Sequence, residues 1–103
     1  MTQEDVVKIL SQVKHPAIDL SLIELGIATD IELVGAEVLV TFAFPFPNIP
    51  IADKLINSIK QPLQKNGLTM EYIVRPMKEA EKRRFLELEN AAWTGLKDEE
   101  DKS

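Results

Sequence analysis

Residues 28–44, Ala28-Thr29-Asp30-Ile31-Glu32-Leu33-Val34-Gly35-Ala36-Glu37-Val38-Leu39-Val40-Thr41-Phe42-Ala43-Phe44, decide the fold. Ile31 and Leu33 alternate with polar neighbours. After a break at Val34-Gly35-Ala36-Glu37 the alternation resumes with Val38, Val40, Phe42 and Phe44. Period-two, β-branched and aromatic runs on either side of a glycine read as a β-hairpin, with strands over 28–33 and 38–44. The intervening Leu39, Thr41 and Ala43 are small or apolar, so both faces of the second strand are expected to be partly covered.

Downstream, Pro45, Pro47 and Pro50 force an extended loop poor in backbone donors. Pro50 suits the first turn of a helix, and Ala52, Leu55, Ile56, Ile59 and Leu63 recur at three- and four-residue steps. These signals predict a helix over 50–65, closed by Asn66-Gly67, with Pro62 disturbing its last turn. Leu68, Met70, Tyr72 and Val74 then alternate as a third strand that Pro76 ends. A final helix is expected over 78–92, with Glu81, Phe85, Leu88 and Ala92 along one line.

Upstream, Thr2 ahead of Glu4 and Asp5 caps a first helix over 3–13, which His15-Pro16 ends because the residue before proline is driven from the helical region. Asp19 is expected to cap a short turn through Leu25 that Gly26 stops. The order α-β-β-α-β-α makes an α+β two-layer sandwich around a small three-stranded mixed sheet. One domain is expected over residues 1–96, followed by a charged tail over 97–103.

The 103 residues are 45% hydrophobic and 28% charged, an ordinary globular balance that excludes wholesale disorder. The net charge of −5 opposes a phosphate backbone, so no nucleic-acid partner is expected. The opening residues MTQEDVVKIL lack a basic leader, and no apolar run approaches the roughly 20 residues of a membrane span. A cytoplasmic protein without a membrane partner is the resulting expectation. The count of zero cysteines excludes a thiolate nucleophile, a disulfide scaffold and cysteinyl metal ligation by this chain alone. His15 is its single imidazole.

The loop over 45–50 joins a strand's carboxyl end to a helix's amino end, a place where ligand sites often form. Phe44, Phe46 and Ile49 cannot all easily face inward, so Phe44, Phe46, Asn48, Ile49 and Asp53, together with Trp93 on the last helix, are the candidate partner-binding residues. The plainer reading is a rigid loop packed on the sheet, with Asp53 as a first-turn acid. Trp93 is either a lid on the core or an interface anchor. His15, Asp19, Glu24 and Asp53 are the one set that could form a carboxylate metal or acid–base site, but no expected helix carries two of them as an i, i+4 ligand pair, and neither a catalytic nor a metal residue is expected. The run Lys78–Arg84 reads as a solvated helix face.

Three segments in order carry a resemblance: His15-Pro16-Ala17-Ile18-Asp19, then Glu24-Leu25-Gly26-Ile27, then, after the hairpin, Pro47-Asn48-Ile49-Pro50-Ile51-Ala52-Asp53. Over about residues 4 to 76 the chain resembles the iron–sulfur cluster assembly (FSCA) domain family, which includes SufT-like and PaaD-like small proteins and the N-terminal domain of Mrp-type ATPases. The family usually reads Asp-Pro-Glu-Ile, Asp-Leu-Gly-Leu and Thr-Pro-x-Cys-Pro-x-Ala-Asp. Here His15 replaces the acid before proline, Phe46 the threonine and Ile49 the cysteine. The resemblance implies a non-enzymatic adaptor of iron–sulfur cluster assembly or metalloprotein maturation. It would dock through residues 44–53, with the C-terminal helix as a second candidate contact, to a scaffold, a target apoprotein or an Mrp-type ATPase, and bind no cluster stably, any transient cluster being held by partner ligands. The alternative is a degenerate family fold serving as a general interaction or homodimerisation module.

Overall fold

In a computed structural model of the chain, which describes residues 1–46 and 50–93, the hairpin forms as β1 (Ala28–Val34) and β2 (Glu37–Phe44). Both strands run slightly further into the turn than the alternation predicts, because Val34 pairs directly with Glu37. That leaves a two-residue turn. Gly35 has φ +62° while Ala36 stays in the ordinary region, the sign pattern of a type II′ turn, whose twist suits a hairpin.

The ladder carries one irregularity. Thr29 opposes Thr41 and Glu32 opposes Leu39, so Asp30 and Ile31 together face Val40 in a β-bulge. Asp30 takes the extra residue at φ +51°, a region that Asp tolerates better than branched residues do. The bulge keeps Ala28 and Leu33 on the same face as Phe42 and Val38, which the uneven spacing of these apolar residues requires.

β2 is the central strand of the sheet order β1-β2-β3, antiparallel to β1 and parallel to β3 (Thr69–Pro76). Val38, Val40, Phe42 and Phe44 are all buried in one core cluster. The expectation for its other face holds as well: Thr41 and Ala43 are buried and Leu39 is half-buried. The parallel step from β2 to β3 needs a crossover, and α2 (Ala52–Lys65) supplies it, burying Leu55, Ile56, Ile59 and Leu63 in that cluster. Helix α2 packs on β3 and on α1 (Gln3–Leu10), which in turn packs on β1.

Helix ends follow local chemistry where it is strong. Thr2 Oγ1 accepts from the Asp5 N–H and Asp5 Oδ2 accepts from the Thr2 N–H, a reciprocal cap that starts α1. Gly67 at φ +76° closes α2: its N–H donates to the Gln64 carbonyl, and that of Leu68 donates to the Leu63 carbonyl. Two expected ends differ. Helix α1 stops at Leu10 instead of continuing to residue 13, because Val13 and Lys14 pair with the following segment, the Leu22 N–H donating to the Val13 carbonyl and Lys14 bridging Ser21. Helix α2 starts at Ala52, with Ile51 at φ −100°, ψ 15° as its non-helical cap and Pro50 before it. Pro50 is therefore outside the first turn.

Helix α3 (Glu79–Ala92) buries Phe85, with Leu88 and Ala92 packed against the core, as its apolar line predicts. Its far end is tied to the segment before β1, the Asp19 N–H donating to the Ala92 carbonyl at 3.0 Å and Ile18 bridging Trp93. The charged tail expected over 97–103 lies outside the described residues. No helix among the described residues is long and apolar enough to cross a membrane.

Phe42 is fully buried, stacked on Phe44 with centroids 6.4 Å apart and in edge contact with Tyr72 at 5.6 Å. Phe42→Ala is expected to cost about 3–5 kcal/mol, since both the transfer term and the cavity term apply. Urea unfolding followed by circular dichroism measures it.

Candidate functional site

The candidate surface forms where β2 runs out. Phe44 is still core, while Phe46, two residues on, is 44% exposed. The Phe44 carbonyl accepts from the Met77 N–H at 2.8 Å, so the start of the loop is pinned to the junction of β3 and α3. Lys82 on α3 places its Nζ 4.8 Å from the centre of the Phe46 ring, a cation–π distance. Phe44, Phe46, Val74, Arg75 and Pro76 line a shallow recess of about 260 Å³ beside this pair.

What holds α3 there is a bidentate ion pair. Arg75 Nη1 and Nη2 donate to the two carboxylate oxygens of Glu81 at 2.8 and 3.0 Å, and Nη1 also donates to the Pro76 carbonyl at 3.1 Å. Glu81 Oε1 further accepts from the Lys78 N–H at 2.8 Å, which satisfies a free donor at the helix start. The Arg75 hydrogen bonds and the Lys78 N–H hold the Glu81 carboxyl down at about 2. The residues between Lys78 and Arg84 are therefore more than a solvated face. Glu79 and Arg83 do form the expected exposed pair at 3.6 Å, but Glu81 and Lys82 turn inward to build the site.

The candidate residues divide. Phe44 is buried, so its ring belongs to the core and reaches the surface only as part of the recess lining. Phe46 and Asp53 are exposed, Asp53 in the first turn of α2. Asn48 and Ile49 lie outside the described residues. Trp93 is 51% exposed beside Glu89 and Asn90. It does not share a patch with Phe46: Lys82 and Trp93 are separated by roughly 16 Å along α3 at helical rise. Lys82, Arg75 and Glu81 are the residues the sequence reading missed, and the Glu81 position on the apolar line of α3 was the available signal.

The polar set does not assemble into a site. His15 Nδ1 accepts from the Ala17 N–H at 2.9 Å, doing for this turn what an Asp side chain does in an Asx turn, and partial burial lowers its pKa. Asp19 does not cap the following turn; it pairs with Lys14 at 3.0 Å. Ser21 caps it instead, its Oγ accepting from the Glu24 N–H while the Glu24 carboxylate accepts from the Ser21 N–H, and hydrogen bonding to Ser21, through that N–H first, lowers the Glu24 pKa. Ser hydroxyls and carboxylates three residues apart favour this reciprocal arrangement, so the capping role passes to the residue with the matching partner. Among the described residues no group of three or more His, Asp or Glu side chains could hold a metal ion.

With this geometry in place, the comparisons with known proteins fix the family. A model of iron–sulfur cluster assembly proteins matches residues 3–67. The chain belongs to that family. A solved domain of unknown function, DUF59, from Bacillus anthracis is similar over 84% of this chain and 90% of its own, with a TM-score of 0.65 and 17% identity. At that identity the likeness is one of fold. No curated protein matches the chain. The family match contains β1, β2, α2 and the loop between the last two, whereas β3, the Arg75–Glu81 pair, Lys82 and Trp93 all lie past its end at residue 67.

Because the Glu81 carboxyl titrates near 2 instead of its ordinary 4.5, the ion pair stabilises the fold fully above about pH 4.5 and loses that contribution as pH falls towards 2. Glu81→Gln is expected to cost about 1 kcal/mol at neutral pH, a figure reduced for solvent screening at a partly exposed pair. The gap between the two proteins should close at about pH 2, as read from denaturation midpoints at both pH values.

Proposed function

We propose that the protein is a non-enzymatic adaptor of iron–sulfur cluster assembly or metalloprotein maturation. It docks to a cluster scaffold, a target apoprotein or an Mrp-type ATPase and supplies no ligand of its own. Family membership supports the cluster-assembly setting. The observation that carries the docking mode is Phe46: an aromatic ring left exposed at the end of the central strand and flanked by the Lys82 ammonium, a pairing suited to a surface that combines apolar and acidic groups. The chain has no cysteine, and Ile49 stands where the family resemblance places one, so a cluster passing through the complex would be held by the partner's side chains.

The SufT-like and Mrp-like labels and a cytoplasmic location belong to this proposal. Trp93, at the other end of α3, serves as a separate contact and not as an extension of the Phe46 surface.

Anaerobic reconstitution of the purified chain with iron and sulfide is expected to leave no stoichiometric cluster in the absorption spectrum. In affinity capture of a co-expressed cluster scaffold or Mrp-type ATPase, Phe46→Ala should reduce retention about tenfold, the size of a modest hot spot. Trp93→Ala should have a smaller effect. A stable cluster on the isolated chain would overturn the adaptor reading, and undiminished capture by Phe46→Ala would overturn the docking surface.

A further inference from the structure

The edge strand β3 is unusual in its exposure. Tyr72, Ile73 and Val74 are consecutive, apolar and 46%, 63% and 54% exposed, so among the described residues neither face of the strand's middle is covered. On the face carrying Ile73, the neighbouring surface is a shallow open depression that includes Leu39, Thr41 and Glu71. Edge strands that are long and apolar tend to pair with another strand unless charge, proline or a bulge prevents it.

Among the described residues, no strand pairs with the outer edge of β3. The Thr69 N–H donates to the Ala36 carbonyl and the Met77 N–H to the Phe44 carbonyl, both towards β2. In a parallel ladder alternate residues use one side, so the odd-numbered residues bond to β2 and the N–H and C=O groups of Met70, Tyr72 and Val74 point outward. Pro76, which has no N–H, ends the outward-facing series.

We infer that β3 pairs antiparallel with β3 of a second copy of this chain, across a two-fold axis at Ile73, to give one continuous six-stranded sheet built from two three-stranded ones. The occupant and register are argued from self-complementarity. With Ile73 facing itself, Tyr72 and Val74 of one copy exchange backbone hydrogen bonds with Val74 and Tyr72 of the other, and their side chains form aromatic–β-branched pairs. On the opposite face Glu71 of each copy meets Arg75 of the other. Arg75 has capacity for this: a guanidinium carries five N–H donors, and its bonds to Glu81 and the Pro76 carbonyl use only some of them.

Neighbouring registers lose this match. An axis at Tyr72 sets Glu71 against Ile73 and Arg75 against Thr69, and an axis at Val74 sets Arg75 against Ile73 and moves Pro76, without its donor, inward from Met70 at the end of the ladder to Tyr72 beside the axis. The isologous geometry is closed, so pairing stops at two copies.

The absence of cysteine makes a direct test clean. In the proposed register position 73 is the β3 residue that faces its own copy, and it does so as a non-hydrogen-bonded pair, where Cβ atoms come closest. Ile73→Cys in the full-length chain should form a disulfide-linked dimer at least about tenfold faster under mild oxidation than Val34→Cys, a comparably exposed site on the opposite edge strand. Sedimentation of the unmodified chain should show a concentration-dependent dimer, and Ile73→Lys, which brings two ammonium groups together on the axis, should raise its dissociation constant at least about tenfold. Ile73 is exposed, so both variants should keep the monomer fold, to be checked by circular dichroism. A chain that stays monomeric up to about 1 mM, or cross-linking no faster at position 73 than at position 34, would overturn the pairing.

Discussion

Burial of one strand on both faces is the constraint from which the other placements follow. β2 is hydrogen-bonded on both edges, its Val38, Val40, Phe42 and Phe44 side chains enter the helix-covered core, and Thr41 and Ala43 are buried on the reverse. Apolar burial has no direction of its own, but a strand alternates its side chains, so the core has one acceptable register. A slip of one residue would exchange the large Val and Phe side chains for Thr41 and Ala43. The turn at Gly35 and the bulge at Asp30 hold β1 in the register that this requires.

The same strand positions the candidate surface. Because β2 is central, its carboxyl end delivers the chain into the loop before α2 at the point where β3 also ends, and the bond from the Met77 N–H to the Phe44 carbonyl joins the two. The Arg75–Glu81 pair then sets where α3 begins, and that start places Lys82 over Phe46. The chain of contacts joins the end of β2 to residues well downstream in sequence, in β3 and α3. The surface is suited to contact, while Asp19, Glu24 and the His15 imidazole are engaged in local turn or surface bonds elsewhere.

The order and type of every element were readable because period-two and three-to-four-residue spacings are local properties of the chain. The hairpin, the α2 stop at Gly67 and the Phe85 line of α3 all follow from residues within one or two turns of one another. The early end of α1 and the lost Asp19 cap share a cause. Val13 leaves the helical pattern to accept from the Leu22 N–H, and Asp19 leaves the cap to pair with Lys14, so in both cases a mid-range partner outweighed a local preference. Asp30 was unreadable as a bulge because the extra residue appears only when β1 is laid against β2.

The sequence by itself determined the α+β class, the central role of the 38–44 strand, the family resemblance and the absence of any thiol, since these depend on composition, periodicity and residue identity. Tertiary structure decided which aromatic residues reach solvent. Phe44 and Phe46 are the same residue type two positions apart, yet one closes the core and the other lies open under Lys82. It also decided that Tyr72, Ile73 and Val74, an ordinary strand run on paper, form the uncovered edge of the sheet. Exposure is a property of what packs on a residue, and neighbours supplied by other elements are not written in the local pattern.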